Sequence, residues 1–216
     1  THEDFAWLVN YLETFMSCNI WQPMTSATIA FRYREIIEKY FELTVENGDI
    51  RRACGDFSMR GFSSVESAEL SGAAHLLSFL GTATIPAIAY LEEYYNCNIE
   101  EEPVGLGTPS TEHSVMCSYG QDEFAAYKRL ITEVFPSGTL SIVSDTYDYW
   151  KVITDLLPRL KEDILNRDGK IVIRGDSGDP VKIICGDRAA VKDTVEYKGT
   201  VELIWDIFGG VVNSKG

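Results

Sequence analysis

Positive charge is scarce in this sequence. Its 216 residues hold 19 lysines and arginines against 33 aspartates and glutamates, a formal net charge of −14. Nucleic-acid backbones are gripped by clustered Lys and Arg, so no nucleic-acid face is expected. An anionic membrane surface is disfavoured for the same reason. A small anionic ligand needs only a few local donors and stays open. Cysteine pairing is also missing. Cys18, Cys54, Cys97, Cys117 and Cys185 are odd in number, widely spaced and without a C-x-x-C, which argues against a disulfide framework and a zinc site. Reduced, mostly buried thiols in a cytoplasmic protein are the expectation. No signal peptide is expected. The most apolar run, Ser71 to Leu91, is interrupted by His75, Gly81, Thr82, Thr84 and Pro86, so it does not read as a membrane span. G-x-G-x-x-G, Walker A, H-E-x-x-H and G-x-S-x-G are all missing.

What is present suits a folded α/β protein. The 45% apolar and 12% aromatic content is enough for a buried core, in one large domain or two small ones. No repeat, low-complexity segment or linker breaks the chain. It opens Thr1-His2-Glu3 without methionine and closes Asn213-Ser214-Lys215-Gly216 directly after an apolar run. Both ends read as internal, and a piece of a longer protein is expected.

The pattern predicts two lead-in helices and then alternating strands and helices. Asp4–Ile20 has a helical apolar stripe, and Trp21-Gln22-Pro23 should break it. Thr25–Val45 should be a second helix. There Ile29, Ile36, Ile37, Tyr40, Phe41 and Leu43 are core candidates, and Arg34 and Glu38 form an i,i+4 pair. Strands are expected at 53–57, 76–80, 104–108, 140–143, 171–173 and 181–185. Helices are expected at 63–75 with a Ser63/Glu66 capping box, 85–95 with Pro86 in its first turn, 121–135, 147–165 and 199–208. In 121–135 the inward positions are Ala125, Leu130, Ile131 and Val134. Strands alternating with helices imply a parallel sheet, whose ligands bind at the carboxyl ends of the strands. About five βα steps are counted where a closed barrel needs about 250 residues, so part of a barrel is expected to be missing. The expected division is a helical segment, 1–50, and a partial α/β barrel, 51–216.

Four strand-end turns carry unusual residues. Asp56-Phe57-Ser58-Met59-Arg60-Gly61 places a ring and a guanidinium three residues apart, suited to a flat aromatic ligand and an anion. A core Phe57 and a surface-paired Arg60 fit that spacing as well. Thr111-Glu112-His113-Ser114 offers an imidazole, a group suited to proton transfer or reversible phosphorylation, or a structural histidine. His2 is terminal, and His75 sits at an apolar helix end. In Ser141 to Asp148, Asp145 follows an apolar strand, as a ligand group or a helix N-cap. In Ile171 to Pro180, Arg174 and Asp176 enter a Gly-flanked turn, suited to a phosphate and to ribose hydroxyls or a Mg²⁺ shell. The Arg-Gly-Asp tripeptide within it closes an apolar strand, so an integrin role is not expected.

In order, these segments resemble the nicotinate/nicotinamide phosphoribosyltransferase family. The resemblance rests on Asp56-Phe57-…-Arg60-Gly61, Ser63-Ser64-…-Glu66, Ala74-His75-Leu76, Phe79-…-Gly81-Thr82, Glu112-His113-Ser114, Val143-Ser144-Asp145-…-Tyr147-Asp148 and Ile173-Arg174-…-Asp176-Ser177-Gly178-…-Pro180. The Trp21-…-Pro23-…-Thr25 stretch and Asn213-Ser214-Lys215-Gly216 add to it, so it covers essentially the whole chain. The resemblance implies a fold, an incomplete irregular (β/α) barrel of the type II phosphoribosyltransferase kind preceded by two helices. It implies an activity, phosphoribosyl transfer from phosphoribosyl pyrophosphate to nicotinamide in NAD salvage, in a cytoplasmic homodimer with active sites at the subunit interface. It also implies roles. Phe57 would stack on the pyridine ring against a partner-subunit tyrosine. Arg60 would face phosphates, Arg174 the amide or the ribosyl ligand, and Asp176 the ribose. Ser141 and Asp145 would lie near base and ribose, with Ala83, Gly107 and Thr108 lining the substrate site. His113 would be the histidine phosphorylated by ATP, and Mg²⁺ would accompany phosphoribosyl pyrophosphate. No resident metal is expected.

The sequence departs from the family at Ala83, where the family has an aspartate that accepts the nicotinamide amide. Losing that carboxylate also removes repulsion of an acid substrate, so nicotinate phosphoribosyl transfer is the rival reading. Gly107 replaces a serine. The region supplying the partner tyrosine and the later phosphoribosyl-binding turns lie outside the chain. Little catalysis by this chain alone is therefore expected, and a silent pyridine-binding or dimerisation fragment is the other rival.

Overall fold

The computed structural model describes residues 2–215. The chain forms two compact units, Thr1–Gly107 with Val212–Gly216, and Thr108–Val211. The boundary expected at residue 50 lies inside the first. No helix of the described residues is long and apolar enough to cross a membrane.

The first unit is built on one long helix. A 3₁₀ turn, Glu3–Leu8, leads into α1, Val9–Thr44, with Pro23 inside it. Trp21-Gln22-Pro23 therefore does not break the chain. A helical proline costs about 3 kcal/mol by removing an N–H and crowding the carbonyl four residues back. The Thr25 and Thr28 hydroxyls cover the Trp21 and Met24 carbonyls, and 36 residues of helix outweigh that one break. The apolar stripe of α1 is not core. Only Ala30 is buried, and Ile29, Ile36, Tyr40 and Leu43 are exposed. Nor does Arg34 pair with Glu38. It donates to the Ser78 carbonyl at 2.8 Å, while a hydroxyl contact from Ser26 to Ser71 joins α1 to the helix Val65–His75.

The rest of this unit is compact. Strand β1 is Gly55–Asp56, helix α2 is Val65–His75, strand β2 is Gly81–Thr82 and helix α3 is Ile85–Tyr95. The α2 cap is Ser64, which accepts from Ser67 N–H, one residue beyond the expected Ser63. Helix α3 has its expected limits, with Pro86 in the first turn and Asn96 in the left-handed conformation as C-cap. β1 pairs in parallel with β2, and Leu106 bridges the far side of β2 at Gly81.

The second unit holds the longer parallel pair, β3, Ser137–Val143, and β4, Asp168–Arg174, in register from Ser137↔Asp168 to Val143↔Arg174. Ser110 bridges the free edge of β3 at Ser141. Helix α4 is His113–Cys117 and α5 is Glu123–Arg129. A π-turn continues α5 over Leu130–Val134. The buried face is Ala126, Tyr127, Leu130 and Ile131. The extra residue of the π-turn rotates Val134 out of it, and Ala125 is exposed as well. A broken helical run follows as α6 (Tyr149–Lys151), a second π-turn (Val152–Leu156), α7 (Leu157–Arg159) and α8 (Lys161–Leu165). Residues 181–185 are not a strand. Asp179 caps α9, Pro180–Cys185, with Pro180 in its first turn, the side chain and imino acid that start helices. Helix α10, Val195–Phe208, is kinked at Gly199.

The core of this unit packs Met116, Tyr127, Ile131, Leu140, Ile142, Val152 and Leu160 together. No cysteine is buried, contrary to expectation. Cys18, Cys117 and Cys185 are exposed and Cys54 and Cys97 partly covered. The architecture is α/β with parallel strand pairs, as the alternation predicts; the strands do not close into a barrel within the described residues.

One backbone crossing is intolerant of any side chain. Gly199 has φ of +77°, and a Cβ there would be driven into the Gly186 backbone, 2.7 Å from its Cα. Gly199→Ala should therefore lower the unfolding free energy by about 2 kcal/mol or more, read as a denaturation midpoint. An unchanged midpoint would refute the close approach.

Candidate functional site

The predicted site residues fall in both units. Phe57, Arg60, Ala83 and Gly107 belong to the first; Thr108, His113, Ser141, Asp145, Arg174 and Asp176 to the second.

In the first unit, two turns follow β1 and β2. Phe57 is 58% exposed, so it is not a core residue. Arg60 and Ala83 are exposed too. The Ala83 N–H donates to the Asp56 carbonyl at 2.8 Å, which brings the two turns together. Beneath them lies Asp56, only 8% exposed. Oδ1 accepts the Ser58 N–H and hydroxyl at 2.9 and 2.5 Å. Oδ2 accepts the buried Thr84 hydroxyl at 2.7 Å. Burial pushes this carboxyl up, but the Ser58 and Thr84 bonds and nearby His75 hold it below the ordinary range. His75 Nε2 donates to the Gly81 carbonyl at 3.1 Å. Burial lowers the His75 pKa despite Asp56 and its carbonyl partners. Gly107 is exposed, and a Cβ there would meet nothing within 4 Å. No close neighbour demands glycine in place of the family's serine.

The second unit gathers its polar side chains where β3 and β4 end. The Ser144 N–H continues the ladder to the Arg174 carbonyl, so the residues after each strand meet. Asp145 is the hub. Oδ1 lies 3.1 Å from His113 Nε2, and Oδ2 accepts the Asp176 N–H and the Ser177 hydroxyl at 3.0 and 2.6 Å. Its side chain is 8% exposed against 41% for His113. Asp145 is therefore no helix cap; Asp148 caps α6 instead. Burial raises the Asp145 pKa, and the bonds from Ser177, Asp176 and His113 outweigh that and lower it.

Arg174 is anchored from below. Nη1 donates to Ser110 Oγ and Nη2 to the Thr111 carbonyl, both at 2.9 Å, with Glu112 Oε1 at 3.9 Å. Its Nε is buried without a hydrogen-bond partner. This anchoring turns the guanidinium away from an Arg-Gly-Asp loop presentation. The Ser141 N–H and carbonyl bind Pro109 and Thr111, and the Thr111 hydroxyl accepts the Val143 N–H. Thr108 is exposed beside this bridge. The Asp176 carboxylate is in an exposed residue, open to a polar ligand.

This assembly of an imidazole on a carboxylate, an anchored arginine and an exposed carboxylate suits an anionic, hydroxylated ligand. A profile of the nicotinate phosphoribosyltransferase (NAPRTase) family matches residues 52–216. The chain belongs to that family. It is 47% identical to the nicotinamide phosphoribosyltransferase of Acinetobacter baylyi, over 100% of the chain and 44% of that protein. It is 38% identical to the nicotinamide phosphoribosyltransferase of Mycoplasma pneumoniae, over 99% of the chain and 44% of that protein. The enzyme of the same name from Xanthomonas campestris is 34% identical, over 97% and 42%. The chain thus spans less than half the length of these relatives.

Sequence reasoning on the NAPRTase-family segment missed Asp56 as a structural hub, and missed Thr84, Ser110, Thr111 and Ser177 as partners. Asp56 and Thr84 lie 28 residues apart and Arg174 and Ser110 lie 64 apart, and no local spacing reports such pairs. The Asp145 hub has a checkable pH signature. A carboxylate with a lowered folded-state pKa stabilises the fold above its unfolded value of about 3.9 and loses that contribution as pH falls through the folded value. Asp145→Asn should cost about 1–3 kcal/mol at neutral pH and flatten the fall in stability on acidification. An acid limb identical to wild type would remove the hub from the account.

Proposed function

We propose that this chain is the part of a phosphoribosyltransferase that holds the pyridine base and the reacting sugar. The reaction joins nicotinamide to phosphoribosyl pyrophosphate, giving nicotinamide mononucleotide and pyrophosphate in NAD salvage. The observation that carries the reading is the Asp145 hub, which ties His113 and the Asp176–Ser177 turn to the strand ends beside Arg174. The strands belong to an irregular (β/α) barrel of the type II phosphoribosyltransferase kind.

In the reaction the bond from the anomeric carbon to pyrophosphate breaks and a bond to the pyridine nitrogen forms. Positive charge develops on the sugar, so carboxylates near it stabilise the transition state. Asp176, exposed at the strand end, is assigned to the ribose, and Asp145 holds its backbone. In the second unit Ser141 and Thr108 line the place beside Arg174, whose guanidinium is held by Ser110 and Thr111; in the first unit Arg60 is assigned to phosphate groups. Phe57, already exposed, stacks on the pyridine ring. Mg²⁺ carried on the diphosphate of the substrate would supply screening of the leaving charge. His113 binds Asp145 through Nε2, which leaves Nδ1 as the lone-pair nitrogen to accept a phosphoryl group from ATP.

Ala83 favours a second reading on the same chemistry, with nicotinic acid as the base. It places a methyl group, without a carboxylate, on the exposed turn after β2, which removes one source of repulsion of an acid.

A homodimer is part of the proposal. Phe5 and Trp7 on the 3₁₀ turn and Tyr11, Leu12, Phe15, Met16 and Trp21 on the first part of α1 are all exposed, more apolar surface than a monomer commonly leaves open. Light scattering at tens of micromolar should give twice the 24.2 kDa chain mass, and a monomer there refutes the dimer. Calorimetric titration with nicotinamide and nicotinic acid, with and without phosphoribosyl pyrophosphate and Mg²⁺, tests the site. Binding of either base supports the pyridine pocket, and the tighter one identifies the substrate. Binding without turnover restricts the chain to a base-holding role, and no heat with either base rejects the reading.

A further inference from the structure

Asp56 is a buried carboxylate that the proposed chemistry does not use. Among the described residues it enters no ion pair; its partners are two hydroxyls and an amide. Burying a charge without a cation is expensive, and the bonds that offset the cost have a particular layout. One oxygen holds Ser58, in the turn that carries Phe57. The other holds Thr84, in the turn that carries Ala83, and the Asp56 carbonyl takes the Ala83 N–H itself. Thr84 is wholly buried, and its N–H is held by the Thr82 hydroxyl. Helix α2 closes the back. A Cβ on Gly72 would stand 3.3 Å from Asp56 Oδ2, 3.1 Å from Thr84 Cγ2 and 2.7 Å from Ala87 Cβ. The pair is enclosed, while Phe57 and Ala83 above it are exposed.

We infer that Asp56 is a positioning residue for the pyridine base: through Thr84 and Ser58 it locks the Phe57 turn and the Ala83 turn into one unit and so fixes the spacing between the stacking ring and the edge that reads the carboxamide or carboxylate. The Ala83 N–H joins the two turns at one point, and the Asp56 carboxylate ties them at Ser58 and Thr84 as well. A carboxylate suits the place because it accepts from donors on both turns at once, where an asparagine would turn an N–H toward one of them. The inference rests on the base-binding reading proposed above.

Thr84→Val provides the test, because it removes one hydroxyl from a buried place of the same shape, whereas Asp56→Asn reaches both turns and risks the fold. Amide hydrogen exchange is followed in the whole chain together with nicotinamide and nicotinic acid titration. In Thr84→Val the Ser58 N–H, on the other turn, should exchange about tenfold faster and the better base should bind about tenfold more weakly, the fold-change of one buried hydrogen bond (about 1.4 kcal/mol). Leu91 in the middle of α3 should keep its wild-type rate, and Thr84→Ser should restore both exchange and affinity. Wild-type exchange at Ser58 in Thr84→Val overturns the lock while leaving the base-binding reading intact. Faster exchange with unchanged affinity overturns the positioning role. A wild-type chain that binds neither base overturns the base-binding reading, and this inference with it.

Discussion

The in-register parallel pairing of β3 with β4 is the constraint on which the second unit and its chemistry depend. Val143 lies opposite Arg174, and one more ladder bond runs from the Ser144 N–H to the Arg174 carbonyl. Only with both strands ending at the same level do Asp145 and the Asp176–Ser177 backbone come within hydrogen-bond distance. A slip of one residue would exchange the faces of β4 and carry Arg174 away from Ser110 and Thr111. Glycines protect the start of the register, since a Cβ on Gly169 would collide with the Gly138 backbone beside it. Arg167 adds donors to the carbonyls of Phe135, Ser137 and Gly138 where β3 begins.

Both units use a buried carboxylate to join turns that belong to different strands. Asp56 joins residues 58 and 84, and Asp145 joins residues 113, 176 and 177. In each case hydrogen bonds more than offset burial, and the carboxyl stays more acidic than usual. Short polar side chains and backbone N–H groups can deliver such bonds without occupying the space above the turn. That leaves Phe57 and Ala83 open in one unit, and Asp176 in the other. Rigidity of this kind is what a site for a small, flat, polar ligand requires.

Helical limits were legible where capping chemistry was local, as in α3 with Pro86 at its start. Elsewhere one local signal gave way to another. Pro23 is carried inside α1, the 181–185 segment follows its Asp179-Pro180 helix start and not its β-branched composition, and the π-turns shift the buried face of α5. The four chemically unusual turns were visible as polar clusters, three of them at the ends of strands, and a resemblance gave them roles. The structure adds their connections, including the anchoring of Arg174 to Ser110 and Thr111, which occupies much of a guanidinium expected to face ligand.

By itself the sequence determined the α/β alternation, the excess of acidic residues, the strand-end placement of Phe57, Asp145, Arg174 and Asp176, and membership of the NAPRTase family. These are properties of composition, period and ordered motifs, all carried by neighbouring residues. Tertiary structure alone decided that Asp145 is a hub and not a cap, that Asp56 spans to Thr84, and that the stripe of α1 stays uncovered in this chain. Each of those depends on residues 28 to 32 positions apart or on what lies across a helix face. Chain folding sets such distances through strand register and helix packing, and no local spacing encodes them.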